Sequence, residues 1–280
     1  MNQGKEVLSQ EDKIACKQSA VNEAQIIHGS KGQLVSQKPG ALMLIAAAYV
    51  MGGGGMLAWL AFLLLGPPVP WDFNLGIASG LLLNTLLSLL FFTQHSIMVR
   101  RWFRLRLTRS IRSDFHGVLY ASASGICLLI LVGFWQPVGS VLWEPPGWFR
   151  WAMMATFPAA GAGALWGLRS LGNFDALGVK PALEALGGRR STGPGAFMAR
   201  GPYRWVRHPL YLFSLIIIWF GPIFTIDRLG HNILWTVWII IGTAMEERDL
   251  IDCFGDAYRS YRKEVPMLLP RSLKPLKETM

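Results

Sequence analysis

Six apolar stretches, each near the ~20 residues that cross a hydrocarbon core, constrain this chain more than any other feature. They cover roughly residues 41–65, 75–99, 117–134, 148–168, 209–225 and 232–245. The supply of charge agrees. Only 16% of the 280 residues are Asp, Glu, Lys or Arg, where a soluble globular chain carries about 25%, too few to build a water-facing surface around so much apolar side chain. The expected fold is all-α: a polytopic transmembrane bundle of about six helices. The last two form a short hairpin, because Gly221-Pro222 bends or ends the fifth. A cytoplasmic helix is expected in 246–280. Residues 1–40 are polar and read as a cytoplasmic tail, with 12–27 able to form a weakly amphipathic surface helix; residues 41–280 read as the membrane domain.

The basic residues orient the bundle. Of 27 Lys and Arg, 25 precede the first stretch, lie between the second and third or the fourth and fifth, or follow the sixth. Only Arg150 and Arg228 fall on the other side. The positive-inside rule then places both termini in the cytoplasm of an inner-membrane protein. The net charge of +10 is thereby mostly a matter of topology. Its partner is the lipid bilayer with its anionic headgroups, and no nucleic-acid-binding motif accompanies it. The three cysteines form no C-x-x-C pair, which argues against a structural zinc site; no metal is expected.

Several features have plain explanations. Gly163 and Gly167, four apart in an apolar run, suit close helix packing rather than a dinucleotide loop, and Gly52–Gly55 reads the same way or as a local weakness in its helix. Asn84, Thr85 and Ser88 read as ordinary hydrogen-bond formers between helices. His116 and His231 stand at expected helix ends, where a polar ring at the interface needs no further role.

Ionisable groups suited to chemistry collect on the cytoplasmic side. Gln94-His95-Ser96 ends the second stretch, where an imidazole donates and accepts hydrogen bonds near neutral pH. Asp175 lies in a turn-like segment between Gly172 and Pro181, and reads as a turn residue or as a ligand to a substrate or cofactor group. The densest cluster is Tyr203, Arg207, His208 and Tyr211 at the start of the fifth stretch, with Glu246 and Glu247 at the end of the sixth and Tyr258 beyond. A helical hairpin brings these to one depth, where unpaired carboxylates are costly and ionisable residues mark function; a purely structural Arg–Glu clamp is the alternative.

The combined pattern Arg207-His208-Pro209-x-Tyr211, Glu246-Glu247, Phe254-Gly255-x-x-Tyr258-x-x-Tyr261 and Val265-Pro266 resembles the signature of the isoprenylcysteine carboxyl methyltransferase-like family of integral-membrane enzymes. Phe92-Thr93-Gln94-His95-Ser96, Arg100-Arg101-Trp102-Phe103 and Asn173-Phe174-Asp175-x-x-Gly178 are similar to its bacterial methanethiol S-methyltransferase branch. The resemblance implies S-adenosyl-L-methionine as cofactor at the membrane–cytosol boundary, with Tyr203, Arg207, His208, Tyr211, Glu246, Glu247 and Tyr258 as its site.

It also implies a small thiol as acceptor, methanethiol becoming dimethyl sulfide. A thiol must lose its proton to become the nucleophile, so His95 is the first candidate base and Asp175 the second. Arg207 stabilises an anion but accepts no proton, and with Glu247 it counts among the catalytic candidates. A carboxylate or lipid-amine acceptor on the same fold, or a transport or assembly role without catalysis, stays open at this point. The first of these alternatives needs no base if the acceptor is a carboxylate.

Overall fold

The computed structural model describes residues 38–172, 175–187, 198–272 and 274–276. Nearly all of the 1–40 tail, with its expected surface helix, lies outside them. Helix α1 (Lys38–Ala47) passes through a π-helical turn (Ala48–Gly53) into α2 (Gly54–Leu65). There follow α3 (Ile77–Met98), a short α4 (Arg101–Leu107), α5 (His116–Phe134), α6 (Gly147–Ser170), α7 (Val179–Leu186), α8 (Pro209–Trp219) and α9 (Ile226–Glu264). Two short strands, β1 (Val141–Trp143) and β2 (Phe224–Thr225), pair antiparallel between α5 and α9.

The helices are apolar outward and polar inward. On α3, Leu82, Leu86, Leu89 and Leu90 are exposed, while Asn84, Ser88 and Phe91 are buried on the other face. On α9, Ile233, Val237, Ile240 and Ile241 face out, while Asn232, Trp235 and Thr243 face in. Such stripes are stable only against lipid, since contiguous apolar patches on soluble monomers rarely exceed a few hundred Å². The protein is therefore a multi-pass membrane protein.

Three segments suffice as spans by length and composition alone: Pro39–Leu65, Ile77–Met98 and Ser113–Phe134. The other three expected stretches are modified. Helix α6 is long enough at 24 residues, but Gly, Ala and Arg150 dilute its apolar character. Helix α8 stops at Trp219 instead of reaching 225, because Gly221-Pro222 cannot continue it; its 11 residues rise about 16 Å, half a hydrocarbon core. The sixth stretch is not separate from the C-terminal segment, since both belong to the 39-residue α9.

Packing is close where small residues permit it. A Cβ on Gly55 would sit 2.3 Å from the Gly125 carbonyl oxygen, and one on Gly52 would sit 2.9 Å from that of Ala121, so the glycine run packs on α5 and also hosts the π-helical turn. Gly163 faces the Phe213 ring and Gly167 faces Leu210, which seats α8 on α6. His116 bridges α3 to α5, its Nε2 lying 2.9 Å from the Met98 carbonyl. His231 departs from expectation. It is only 2% exposed and stacks on Trp235 with centroids 4.9 Å apart, because its ring turns inward among Trp59, Phe62 and Trp135.

Candidate active site

Pro209 opens α8, where its missing N–H removes nothing from the helix. The preceding residues are thus free to pair elsewhere, and they zip onto the chain after α9. The Arg207 N–H donates to the Pro266 carbonyl (2.9 Å) and the His208 N–H to that of Met267 (3.1 Å). What returns the chain to this position is Gly255, buried inside α9 at φ 55°, ψ −129°, a region open essentially to glycine. The break lets the segment after it fold back with Tyr258, Tyr261 and Val265 as a small buried cluster.

Between these two strands of chain lies an ion-pair lock. Arg207 Nε donates to Glu247 Oε1 at 2.6 Å, and its Nη1 donates to the carbonyls of Arg262 (3.1 Å) and Val265. Glu247 Oε2 is 3.3 Å from Arg262 Nε. The Arg207 and Glu247 side chains are 9% and 7% exposed, so each charge is matched inside the protein. His208 Nε2 is 3.3 Å from the same Glu247 Oε1, and its Nδ1 is 3.6 Å from Glu246 Oε2. Burial holds the His208 pKa below 6.5, against the opposite pull of Glu246 and Glu247. In neutral solution the ring is neutral and has one N–H to give. It stacks on Tyr211 at 5.5 Å.

Glu246 differs from its neighbour. Its side chain is 45% exposed, yet Oε2 is buried and has no hydrogen-bond partner among the described residues. The Tyr211 hydroxyl interacts with this carboxylate, and Tyr203 lies within its electrostatic reach. Tyr261 donates its hydroxyl to the Tyr203 carbonyl at 2.6 Å. Burial, then the Glu247 charge, push the Tyr258 phenol up to about 12 while Arg207 pulls it down, so it stays protonated. The fold thus brings Tyr203, Arg207, His208, Tyr211, Glu246, Glu247 and Tyr258 together, and adds Tyr261 and Arg262.

His95 sits on α3 opposite this wall. The Tyr120 hydroxyl faces the nitrogen-bearing edge of its ring, 2.7 Å from Nε2 and 2.9 Å from Nδ1. Phe91 and Trp238 enclose the ring at 5.2 and 5.1 Å. Trp238 belongs to α9, so this contact seats His95 against that helix. Tyr120 escaped the sequence reading because a lone Tyr in an apolar run looks like lining. The signal was depth: His95 near the end of one span and Tyr120 near the start of the next must lie level.

Asp175 stands apart. Its carboxylate accepts the N–H groups of Leu177 (3.0 Å) and Lys180, capping the turn into α7. That helix buries Val179 and Ala182 against Ala41, Ile45 and Phe115. The turn reading fits this geometry, each oxygen accepting one backbone donor. Asn173 and Phe174 lie outside the described residues.

Fold and site together define a polytopic helical membrane enzyme whose polar centre lies at one end of the bundle. Comparison with known proteins identifies its kind. The chain is 34% identical to the methanethiol S-methyltransferase of Pseudomonas deceptionensis over 212 residues, 73% of this chain and 76% of that protein. It is 32% identical to methanethiol S-methyltransferase 1 of Bradyrhizobium diazoefficiens, covering 80% of each. With the Mycobacterium tuberculosis protein of the same name it shares 34%, over 69% of this chain and 80% of that one. It is also similar to Nurim of Sus scrofa, 27% identical over 65% of this chain and 68% of that protein. The chain belongs to the methanethiol S-methyltransferase family. No protein-family model and no solved structure matches it.

Proposed function

We propose that this protein transfers a methyl group from S-adenosyl-L-methionine to methanethiol, giving dimethyl sulfide. The reaction takes place at the cytoplasmic face of the inner membrane, with both chain termini on that side. The carrying observation is the His95–Tyr120 pair, enclosed by the rings of Phe91 and Trp238.

The cofactor, when bound, supplies an electrophilic methyl on a positively charged sulfur. The residues present suit it. The buried, unpartnered Glu246 oxygen accepts from an amine or a ribose diol. His208, Tyr203 and Tyr258 offer further polar contacts, and the half-exposed Arg262 presents the more accessible guanidinium for a carboxylate. Arg207 and Glu247 are matched to each other, and their part is to hold the wall on which Glu246 and His208 stand. His95 accepts the thiol proton, leaving the thiolate as nucleophile. Once protonated, the ring finds the Tyr120 oxygen as acceptor for its N–H. Phe91 and Trp238 keep water from the thiolate and so leave its nucleophilicity undiminished.

Purified protein given methanethiol and S-adenosylmethionine should release dimethyl sulfide into the headspace. His95→Ala should lower turnover by roughly 10²-fold, with partial recovery at high pH, where the thiol ionises unaided. Tyr120→Phe should lower it less and leave binding of S-adenosylhomocysteine unchanged. A wild-type rate from His95→Ala at pH 7 would remove the base from this site and favour an acceptor that needs none.

A further inference from the structure

The two basic residues that the charge pattern leaves at the far end of the bundle meet in one cavity. Its volume is about 170 Å³, and Leu65, Arg150, Met154, Pro222, Ile223 and Arg228 are among its walls. This is the end opposite the Arg207–Glu247 lock, since it gathers the last turn of α2 and the first turns of α6 and α9.

Arg228 is 7% exposed. Its Nη1 and Nη2 donate to the Phe62 and Leu63 carbonyls that end α2. Its Nε has no hydrogen-bond partner, and the adjacent Asp227 acts on it only through space. The adjacent Asp227 accepts instead from Trp135 Nε1 at 2.9 Å. Arg150, 41% exposed, is 3.3 Å from Glu144. The cavity thus holds one cation matched by Glu144 and one, Arg228, whose nearest carboxylate is that of the adjacent Asp227, turned toward Trp135. Two guanidinium groups on the wall of one cavity suit an anion. The space far exceeds the ~10–15 Å³ that one water needs. Leu65 on the cavity wall is 77% exposed, and Trp148 and Trp151, which flank Arg150 in the first turns of α6, are 75% and 71% exposed; exposed tryptophans at the end of a spanning helix mark the headgroup region.

We propose that this cavity binds the phosphate of a phospholipid headgroup. Arg228 and Arg150 are its donors, and the apolar walls receive the start of the acyl chains. A guanidinium fork matches phosphate oxygens in geometry as well as charge. The site is independent of the methyl-transfer reading, and its test uses no activity.

Delipidated protein in detergent is titrated with phosphatidylglycerol, with diacylglycerol, which lacks the phosphate, and with inorganic phosphate. Thermal unfolding and native mass spectrometry follow binding. Phosphatidylglycerol should raise the melting temperature saturably, and diacylglycerol should not. Arg228→Gln, Arg150→Gln and the cavity-filling Met154→Trp should each weaken phosphatidylglycerol binding at least tenfold. The last two leave the Arg228 bonds to α2 in place, so they remain informative if Arg228→Gln does not fold. Saturable, Arg150-dependent stabilisation by inorganic phosphate at lower concentration than the lipid would support the anion site with free phosphate as occupant. Equal binding of phosphatidylglycerol by wild type and both folded variants, or of diacylglycerol and phosphatidylglycerol by wild type, would overturn the proposal.

Discussion

Replacing Glu247 by Gln tests the lock that organises the site. The carboxylate receives Arg207 Nε at 2.6 Å, His208 Nε2 at 3.3 Å and Arg262 Nε at 3.3 Å. An amide keeps the volume but removes the charge, and its nitrogen cannot accept from a guanidinium. Arg207 would then be a buried cation with only neutral acceptors, the amide oxygen and the Arg262 and Val265 carbonyls. Breaking a buried pair at one partner costs about 3–5 kcal/mol. At about 2–4 °C per kcal/mol for a chain of this size class, the melting temperature should fall by roughly 10 °C. The assay is thermal unfolding of detergent-solubilised protein, followed by tryptophan fluorescence. The Arg207→Met/Glu247→Leu double variant should lose less than Glu247→Gln, because it leaves no unmatched charge. Arg262→Gln should cost at most about 1 kcal/mol, since that partner is 43% exposed. A Glu247→Gln protein that melts within about 2 °C of wild type would refute the reasoning, because the pair would then be solvated.

Gly255→Ala should destabilise by about 1–3 kcal/mol and reduce S-adenosylhomocysteine binding in calorimetry, since φ 55°, ψ −129° excludes a Cβ without strain. His208 gives a pH dependence of definite sign. Its folded pKa is depressed below 6.5, so below pH 6.5 the folded state binds fewer protons than the unfolded one. Its contribution is therefore complete above 6.5 and is lost as pH falls through the folded value; melting temperature measured from pH 8 to 5 should decline, and His208→Gln should flatten the decline. Orientation is checked by reporter fusions at the exposed Ser140, after α5, and after Met280. They should report opposite sides of the membrane, and identical sidedness would sink the assignment of the termini.

Much of this fold was legible because membrane helices obey rules that act along the chain. Apolar length located the spans at α1–α2, α3 and α5, and four-residue glycine spacing anticipated the seating of α6 on α8. Sequence reasoning failed where one helix answers to another. The Gly221-Pro222 stop of α8 was legible, but Gly255 acts within a continuing α9, and hydropathy does not register it as a change of element. His231 looked like a rim residue because its burial comes from Trp59, Phe62 and Trp135 on other helices. The turn at Asp175 was legible from its Asn, Asp, Gly and Pro, and only its two backbone donors needed the structure.

The paired carboxylates show where the boundary between the two kinds of information lies. Successive residues on a helix point about 100° apart, so Glu246 and Glu247 cannot share an environment. One must turn toward Arg207 while the other turns toward the open side of the cluster. The sequence marks both as candidates and makes them equivalent. Packing separates them. Glu247 is buried with three cationic or imidazole neighbours, whereas Glu246 stays half exposed with one oxygen awaiting a donor. The difference in surroundings between Glu247 and Glu246 therefore follows from the rotation of α9 about its axis, which is fixed by the residues that face inward along it: Trp235, Ile239 and Thr243.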